Sequence, residues 1–307
     1  MWPSVTADSS RLSVVMVRLW EDVCLLDLER KGAQAPIAKL LTTSRAVDSP
    51  SGFTQDSGGV LFPSNRTGRT QIFRQQMEQD SADLLLQGTD DQQGAQLSPD
   101  GKWILYWSTP HSTATSSSIK QLMRFPASGG TPEEITKVPK DDAVAFECPN
   151  NASASCVLSR PDNGQLAFYQ LDPVRGVGRQ VGAFHAGPSQ WAVSPDGMRI
   201  VISNRKTLPR QLLLMRLGDS TQRIVQLSPA WDVDEVAWAA DGHSLFALGL
   251  RAMSEFVLRV DLNGNVRVLL DAGKDHVLSS LHASSDGRHL TFGQVTFESN
   301  AWLLQNF

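Results

Sequence analysis

Ser98-Pro99-Asp100-Gly101-Lys102-Trp103-Ile104-Leu105-Tyr106 and Ser194-Pro195-Asp196-Gly197-Met198-Arg199-Ile200-Val201-Ile202 are one phrase written twice. Weaker copies stand at Ala239-Ala240-Asp241-Gly242-His243-Ser244-Leu245-Phe246 and Ser284-Ser285-Asp286-Gly287-Arg288-His289-Leu290-Thr291-Phe292. Earlier echoes are Thr54-Gln55-Asp56-Ser57-Gly58-Gly59-Val60-Leu61-Phe62 and Thr6-Ala7-Asp8-Ser9-Ser10-Arg11-Leu12. Between the two best copies, Cys148-Pro149-Asn150-Asn151 fills the slot with Asn in place of Asp. The Asp or Asn of each copy falls at positions 8, 56, 100, 150, 196, 241 and 286, successive spacings of 48, 44, 50, 46, 45 and 45. A period of that size running the length of the chain leaves no room for a second domain.

Within each copy the residue types prescribe a strand, a tight turn and a second strand. Pro presets φ for the first turn position, Asp accepts from backbone amides two residues on, and Gly supplies positive φ. A short run rich in β-branched and aromatic residues follows, as in Trp103 to Trp107. Third runs come next at 22–28, 71–75, 121–125, 165–171, 211–217, 256–262 and 300–304; a fourth is exemplified by Val266 to Leu270 after the hairpin signal Asn263-Gly264. Four short strands in about 45 residues is the size of one propeller blade. No segment carries a helical period with caps; Arg74 to Asp80 is too short and falls between strands.

The expected fold is therefore all-β: a single domain over 1–307, a seven-bladed propeller of four-stranded antiparallel blades. The units run 1–46, 47–89, 90–138, 139–184, 185–230, 231–273 and 274–307. If Trp2 to Val5 forms an innermost strand, the first unit supplies four strands and the seventh only three. The last blade is then incomplete; the alternative is six blades plus an irregular unit.

Composition bounds the function. With 28 Lys and Arg against 32 Asp and Glu, net charge −4, 23 Gly and 16 Pro in 307 residues, disordered, collagenous and low-complexity classes are excluded. The mild acidity argues against a nucleic-acid binder. Apolar runs such as Leu212 to Met215 are far shorter than a membrane span, so none is expected in this chain. The opening Met1-Trp2-Pro3-Ser4-Val5 shows no secretory leader in the sequence as it stands, though one lying outside it is compatible with this.

The repeated phrase, together with Ser64-Asn65-Arg66 and Ser203-Asn204-Arg205, resembles the TolB-like, WD-like β-propeller repeat over the whole chain. The opening stretch from Leu19 to Leu28 and the ending from Phe297 to Phe307 are similar to the propeller halves of large bacterial regulators, in which a winged-helix DNA-binding domain or a serine/threonine protein kinase domain precedes the propeller, often with a membrane span between. That resemblance implies a non-enzymatic sensor or protein-interaction module, bacterial and related to signal transduction. It implies a periplasmic or extracytoplasmic location, with a cytoplasmic one as the alternative.

Propellers of the prolyl-oligopeptidase type carry catalysis on an attached hydrolase domain with a Gly-x-Ser-x-Gly elbow, and no such pentapeptide occurs here. The six histidines, His111, His185, His243, His276, His282 and His289, form no His-x-x-x-His pair. His185, His243 and His282 fall in different units, where a metal could be gathered only around the axis. Asp232 with Asp234, Asp90-Asp91 and Asp141-Asp142 are weighed as solvated acidic loops before cation ligands. Gly176-Val177-Gly178-Arg179 has the wrong spacing for a dinucleotide loop. Asn65-Arg66-Thr67 and Asn151-Ala152-Ser153 fit the glycosylation sequon without a context that gives it meaning.

No catalytic residue, metal or cofactor is expected. The residues placed on the channel face for a protein or small-molecule partner are Trp20, Glu21, Asn65, Arg66, Arg160, Asn204, Arg205 and Arg251, because Arg and Trp on rigidly held loops make good anchors. The competing view makes the Ser-Asn-Arg copies purely structural. The chain is expected to be monomeric. An enzyme using the channel, a metal-assisted lyase or hydrolase or the remnant of a peptidase, is the alternative. Cys24 sits in an apolar run, whereas Cys148 and Cys156 flank a polar hairpin-like stretch and are either a disulfide or two free thiols.

Overall fold

A computed structural model describes residues 2–7, 11–29, 38–111, 119–149, 151–185, 189–227 and 231–305. The first strands are β1 (Trp2–Val5), β2 (Arg11–Asp27) and β3 (Ala38–Leu40). Five four-stranded units follow: β4 to β7 (Gly52–Phe53, Gly59–Ser64, Gln71–Gln76, Asp83–Leu86), β8 to β11 (Asp91–Leu97, Trp103–Thr109, Ile119–Pro126, Glu133–Pro139), β12 to β15 (Ala145–Glu147, Cys156–Asp162, Gln165–Asp172, Gly176–Phe184), β16 to β19 (Gln190–Val193, Arg199–Ser203, Gln211–Arg216, Gln222–Gln226) and β20 to β23 (Asp232–Trp238, Ser244–Arg251, Ser254–Asp261, Val266–Gly273). The last two strands are β24 (Val277–Ala283) and β25 (His289–Gln305). No helix occurs among the described residues. Every paired strand runs antiparallel to its neighbour, and each of the five inner units is a meander in chain order.

The repeated phrase makes the first hairpin of each unit. The Ser98 N–H donates to Trp103 O at 2.7 Å, the Ser98 hydroxyl accepts the Trp103 N–H at 3.0 Å and donates to Asp100 at 2.6 Å, and Asp100 accepts the Lys102 N–H at 3.2 Å. Gly101 and Gly197 both sit at φ 70°, a conformation that costs an L side chain strain. Ser194 and Ser284 repeat the arrangement, and Thr54 does so with Asp56. In the Ala239 copy, where the hydroxyl is missing, Asp241 itself accepts the N–H groups of His243 and Ser244.

Hydrophobic residues on both faces of each sheet build six cores, one between each pair of neighbouring sheets. Phe62 and Val23 meet in one, Ile72 and Tyr106 in the next, then Leu122 with Leu158, Phe168 with Ile200, Leu212 with Trp238, and Phe246 with Phe292. The last of these joins the β20 to β23 sheet to the sheet containing β2 and β25, so the ring closes.

The described strands form six sheets, not the seven expected. The first and seventh units share one sheet, in which β24 is innermost and is followed outward by β25, β2 and β3. β2 pairs with β25 along its whole length, from Arg11↔Gln305 to Asp27↔His289. β1 is not an innermost strand: it pairs with the far end of β2, with Trp2 opposite Val15 and Val5 opposite Leu12. The last blade is accordingly complete, two strands coming from each end of the chain. The physical reason is edge satisfaction. An unfinished last blade would leave the backbone groups of β25 unpaired, and β2 supplies their partners. At this end of the chain Thr6 N–H donates to Arg11 O and Arg11 N–H to Thr6 Oγ1, outside the ring. Beyond Glu21 the β2/β25 ladder leaves the propeller as an arm carrying exposed Val17, Leu19, Phe297 and Trp302. The repeat positions Asp8 and Asn150, and Phe307, lie outside the described residues.

Candidate functional site: the central channel

The innermost strands β4, β8, β12, β16, β20 and β24 line the axis, and three of them are bulged. The register shifts between Gln93 and Gln96, between Val233 and Glu235, and between Ser279 and His282. A bulge turns a side chain out of strict alternation, and here it puts polar residues into a wall that the strand period would make apolar. Ser280, at φ 56°, is the strained residue of the β24 bulge.

These polar residues bond blade to blade in a complete circuit. The Ser51 hydroxyl donates to Ala95 O at 2.8 Å; Gln96 Oε1 accepts the Cys148 N–H at 2.9 Å; Glu147 Oε2 accepts the Val193 N–H at 3.1 Å. Trp238 Nε1 donates to Ala192 O at 3.1 Å, Glu235 Oε2 accepts the Leu281 N–H at 3.0 Å, and His282 hydrogen-bonds the Pro50 backbone. Every one of the six junctions is thus crossed by a bond at the channel wall. Innermost strands have no ladder partner on the axis side, so side chains of the adjoining blade take up their free N–H and C=O groups.

At the end carrying the hairpin turns, the channel opens into a cavity of about 720 Å³ with walls from all six blades, among them Phe53, Leu97, Phe146, Glu147, Trp191 and Glu235. A second cavity of about 530 Å³ lies toward the other end. Ser51, Gln96, Ser280 and His282 line both and form the partition between them. Burial pushes the Glu147 carboxyl up to about 8 against the opposing hydrogen bond from Val193. Glu235 is also raised by burial, against the amides of Leu281 and Ser280. His282 is pushed down to about 4 by burial, so its ring is neutral at pH 7.

The residues expected on the partner face are held by their own surroundings. Glu21 is buried and accepts from the Ser279 hydroxyl at 2.6 Å and from the Ser49 hydroxyl. Asn65 Oδ1 accepts the Val47 N–H, and Arg66 pairs with buried Asp48 at 2.8 Å while lying over Phe62 and Phe73. Arg160 stacks on Tyr169 and Arg251 on Trp231; Arg205 pairs with Asp234; Asn204 accepts the amides of Lys206 and Thr207; Trp20 lies under Arg45. Of the eight, Asn65 alone lines a cavity, the smaller one, and none lines the larger. The channel residues Gln96, Glu147, Glu235 and His282 were not singled out for this wall. Their signal is a polar residue one to four positions ahead of the repeated turn, where the strand pattern calls for an apolar one.

Among the described residues no three His, Cys, Asp or Glu side chains converge as metal ligands. Asp91 pairs with His111, Asp234 with Arg205 and Asp232 with Arg210. The Cys148 and Cys156 sulfurs are at bonding distance at the rim of the larger cavity, with their Cα atoms 4.1 Å apart, and Cys24 is a buried free thiol.

No protein-family model and no curated protein matches the sequence. Solved structures do. A protein assigned as TolB in Agrobacterium tumefaciens is similar at 17% identity and TM-score 0.67, over 91% of this chain and 99% of that one. TolB from Acinetobacter baumannii is similar at 15% identity and TM-score 0.58, over 95% of this chain, which spans 66% of that protein. An oligogalacturonate lyase solved with manganese is similar at 16% identity and TM-score 0.55, over 90% of this chain and 77% of that one. At such identities what is shared is architecture, and by architecture the chain is an all-β propeller similar in fold to these structures.

Proposed function

We propose that this chain is a non-enzymatic binding propeller of a bacterial signalling or regulatory protein, working outside the cytoplasm and taking a protein segment or small ligand into the turn end of its channel. The observation that carries the proposal is the cavity of about 720 Å³ walled by all six blades. Concave sites of this size with mixed apolar and polar walls suit ligand capture. Its ionisable groups support the same reading: Glu147 and Glu235 each hold an amide of the next blade, a framework role rather than that of a base beside a nucleophile. The Cys148–Cys156 pairing favours an oxidising compartment.

The test fills the cavity. Ala145 is an exposed lining residue, so Ala145→Trp fills the cavity from its wall without disturbing a core. Peptides selected from a displayed random library on the wild-type protein are expected to lose binding to the Ala145→Trp variant. Selected peptides that bind both proteins equally would place recognition elsewhere. Elemental analysis of the purified protein showing a stoichiometric transition metal would favour the enzyme alternative.

A further inference from the structure

The ionisable groups lining the larger cavity are Glu147, Glu235 and His282, and those lining the smaller reduce to His282. Among the described residues neither lining contains Lys or Arg, in a chain with 28 of them. Asp234 and Glu21 lie close enough to Glu235 to raise it further, and Arg205 is paired with Asp234. Glu147 uses Oε2 on the Val193 amide, and Oε1 has no partner among the described residues. Trp191 lies two residues before Val193 on β16 and lines the same cavity as Glu147. The indole is fixed by its N–H bond to Ser159 at 3.0 Å and by edge-to-face packing on Phe168.

These features select among ligands. An anion would meet two carboxyl groups and no cation. A purely apolar group would strip water from Glu147 Oε1 and give it no partner. A positively charged nitrogen satisfies the carboxyl groups and tolerates an aromatic wall. We propose that the turn-end cavity binds an organic cation, a primary ammonium or guanidinium group, with Glu147 and Glu235 as its carboxyl partners and Trp191 as its wall. The Glu147 carboxyl, which burial holds largely protonated at pH 7 in the empty cavity, releases its proton to solvent as the cation binds. The proposal rests on the binding function above and adds the chemistry of the ligand.

The probe is benzylamine, set against benzyl alcohol as its neutral counterpart and followed by tryptophan fluorescence. Benzylamine is expected to bind about tenfold or more tightly than the alcohol. Glu147→Gln and Glu235→Gln keep an acceptor for the Val193 and Leu281 amides, so the ring is held; each should weaken benzylamine by a similar factor and leave the alcohol unchanged. Equal binding of amine and alcohol, no binding of amine, or Gln variants with undiminished amine affinity would overturn the proposal. A capped Gly-Lys-Gly peptide compared with putrescine tells whether the cation belongs to a polypeptide or to a free diamine. Library peptides that depend on the open cavity yet show no enrichment of Lys or Arg would sink the cation while leaving the binding module standing; loss of both would sink the two together.

Discussion

The turn joining β8 to β9 and the turn joining β12 to β13 occupy the same place in neighbouring blades and are closed by different means. In the first, Ser98 and Asp100 make a net of hydrogen bonds within five residues of chain. In the second, Cys148 replaces the Ser and reaches Cys156 through a covalent bond across eight residues. The hydrogen-bonded turn needs its hydroxyl and its carboxylate in place and a pH at which the carboxylate is ionised. The disulfide turn needs neither, and depends on redox state. Its rim position ties the stiffness of the cavity mouth to the same bond.

Breaking the covalent closure should have the largest effect. Cys156→Ser, or reduction of the wild type, is expected to lower stability by roughly 2 to 3 kcal/mol, from the loop-closure entropy of a short loop, as read from the urea midpoint. A midpoint unmoved by reductant would mean that the bond is absent in solution. Ser98→Ala should lower stability by about 1 kcal/mol, the ordinary net worth of such a bond, with or without reductant. A Ser98→Ala loss that grows on reduction would show that the two turns are coupled.

A smaller effect separates the two closures by pH. The Ser98 hydroxyl, opposed by slight burial and helped by the Lys102 amide, holds the Asp100 carboxyl below its ordinary range. A depressed carboxyl stabilises the fold above its unfolded value, about 3.9, and that contribution is lost as pH falls through the folded value. Glu147, beside the disulfide, has the opposite sign. With its folded value near 8, its contribution is full below the unfolded value of about 4.3 and is lost as pH rises through about 8. Thermal midpoints from pH 3 to 9 should therefore fall less on the acid side in Asp100→Asn and less on the alkaline side in Glu147→Gln. Profiles that match wild type in both variants would remove these groups from the pH dependence. Thiol counting closes the comparison. The native protein should show no reactive thiol, since the Cys24 thiol is buried and pushed up to about 12, and the denatured, unreduced protein should show one; three would mean that Cys148 and Cys156 are free.

The difference between these turns also marks what local sequence carries. The Ser-Pro-Asp-Gly phrase specifies its own hairpin, because donor, acceptor and glycine lie within a few residues of one another. The Ala239 copy keeps the hairpin by moving the acceptor role to Asp241. The channel wall was far less legible. Gln96 is a polar residue in a strand until its partner is known to be the Cys148 amide one blade away. Likewise Arg66, Arg160 and Arg251, singled out for a partner, are stacked on neighbouring aromatic rings, and Arg205 is ion-paired with Asp234, arrangements that residue type alone does not distinguish from a free anchor.

By itself the sequence determined an all-β chain of antiparallel meanders with a period near 46 residues, since turn chemistry and strand alternation act over short separations. Only the tertiary structure decided how many blades that period makes. The unit count of seven became six sheets because β2 and β25, from opposite ends of the chain, satisfy each other's edges, and no local pattern records that register. The same holds for the channel. Its walls are set by amides and side chains that meet only after the ring has closed.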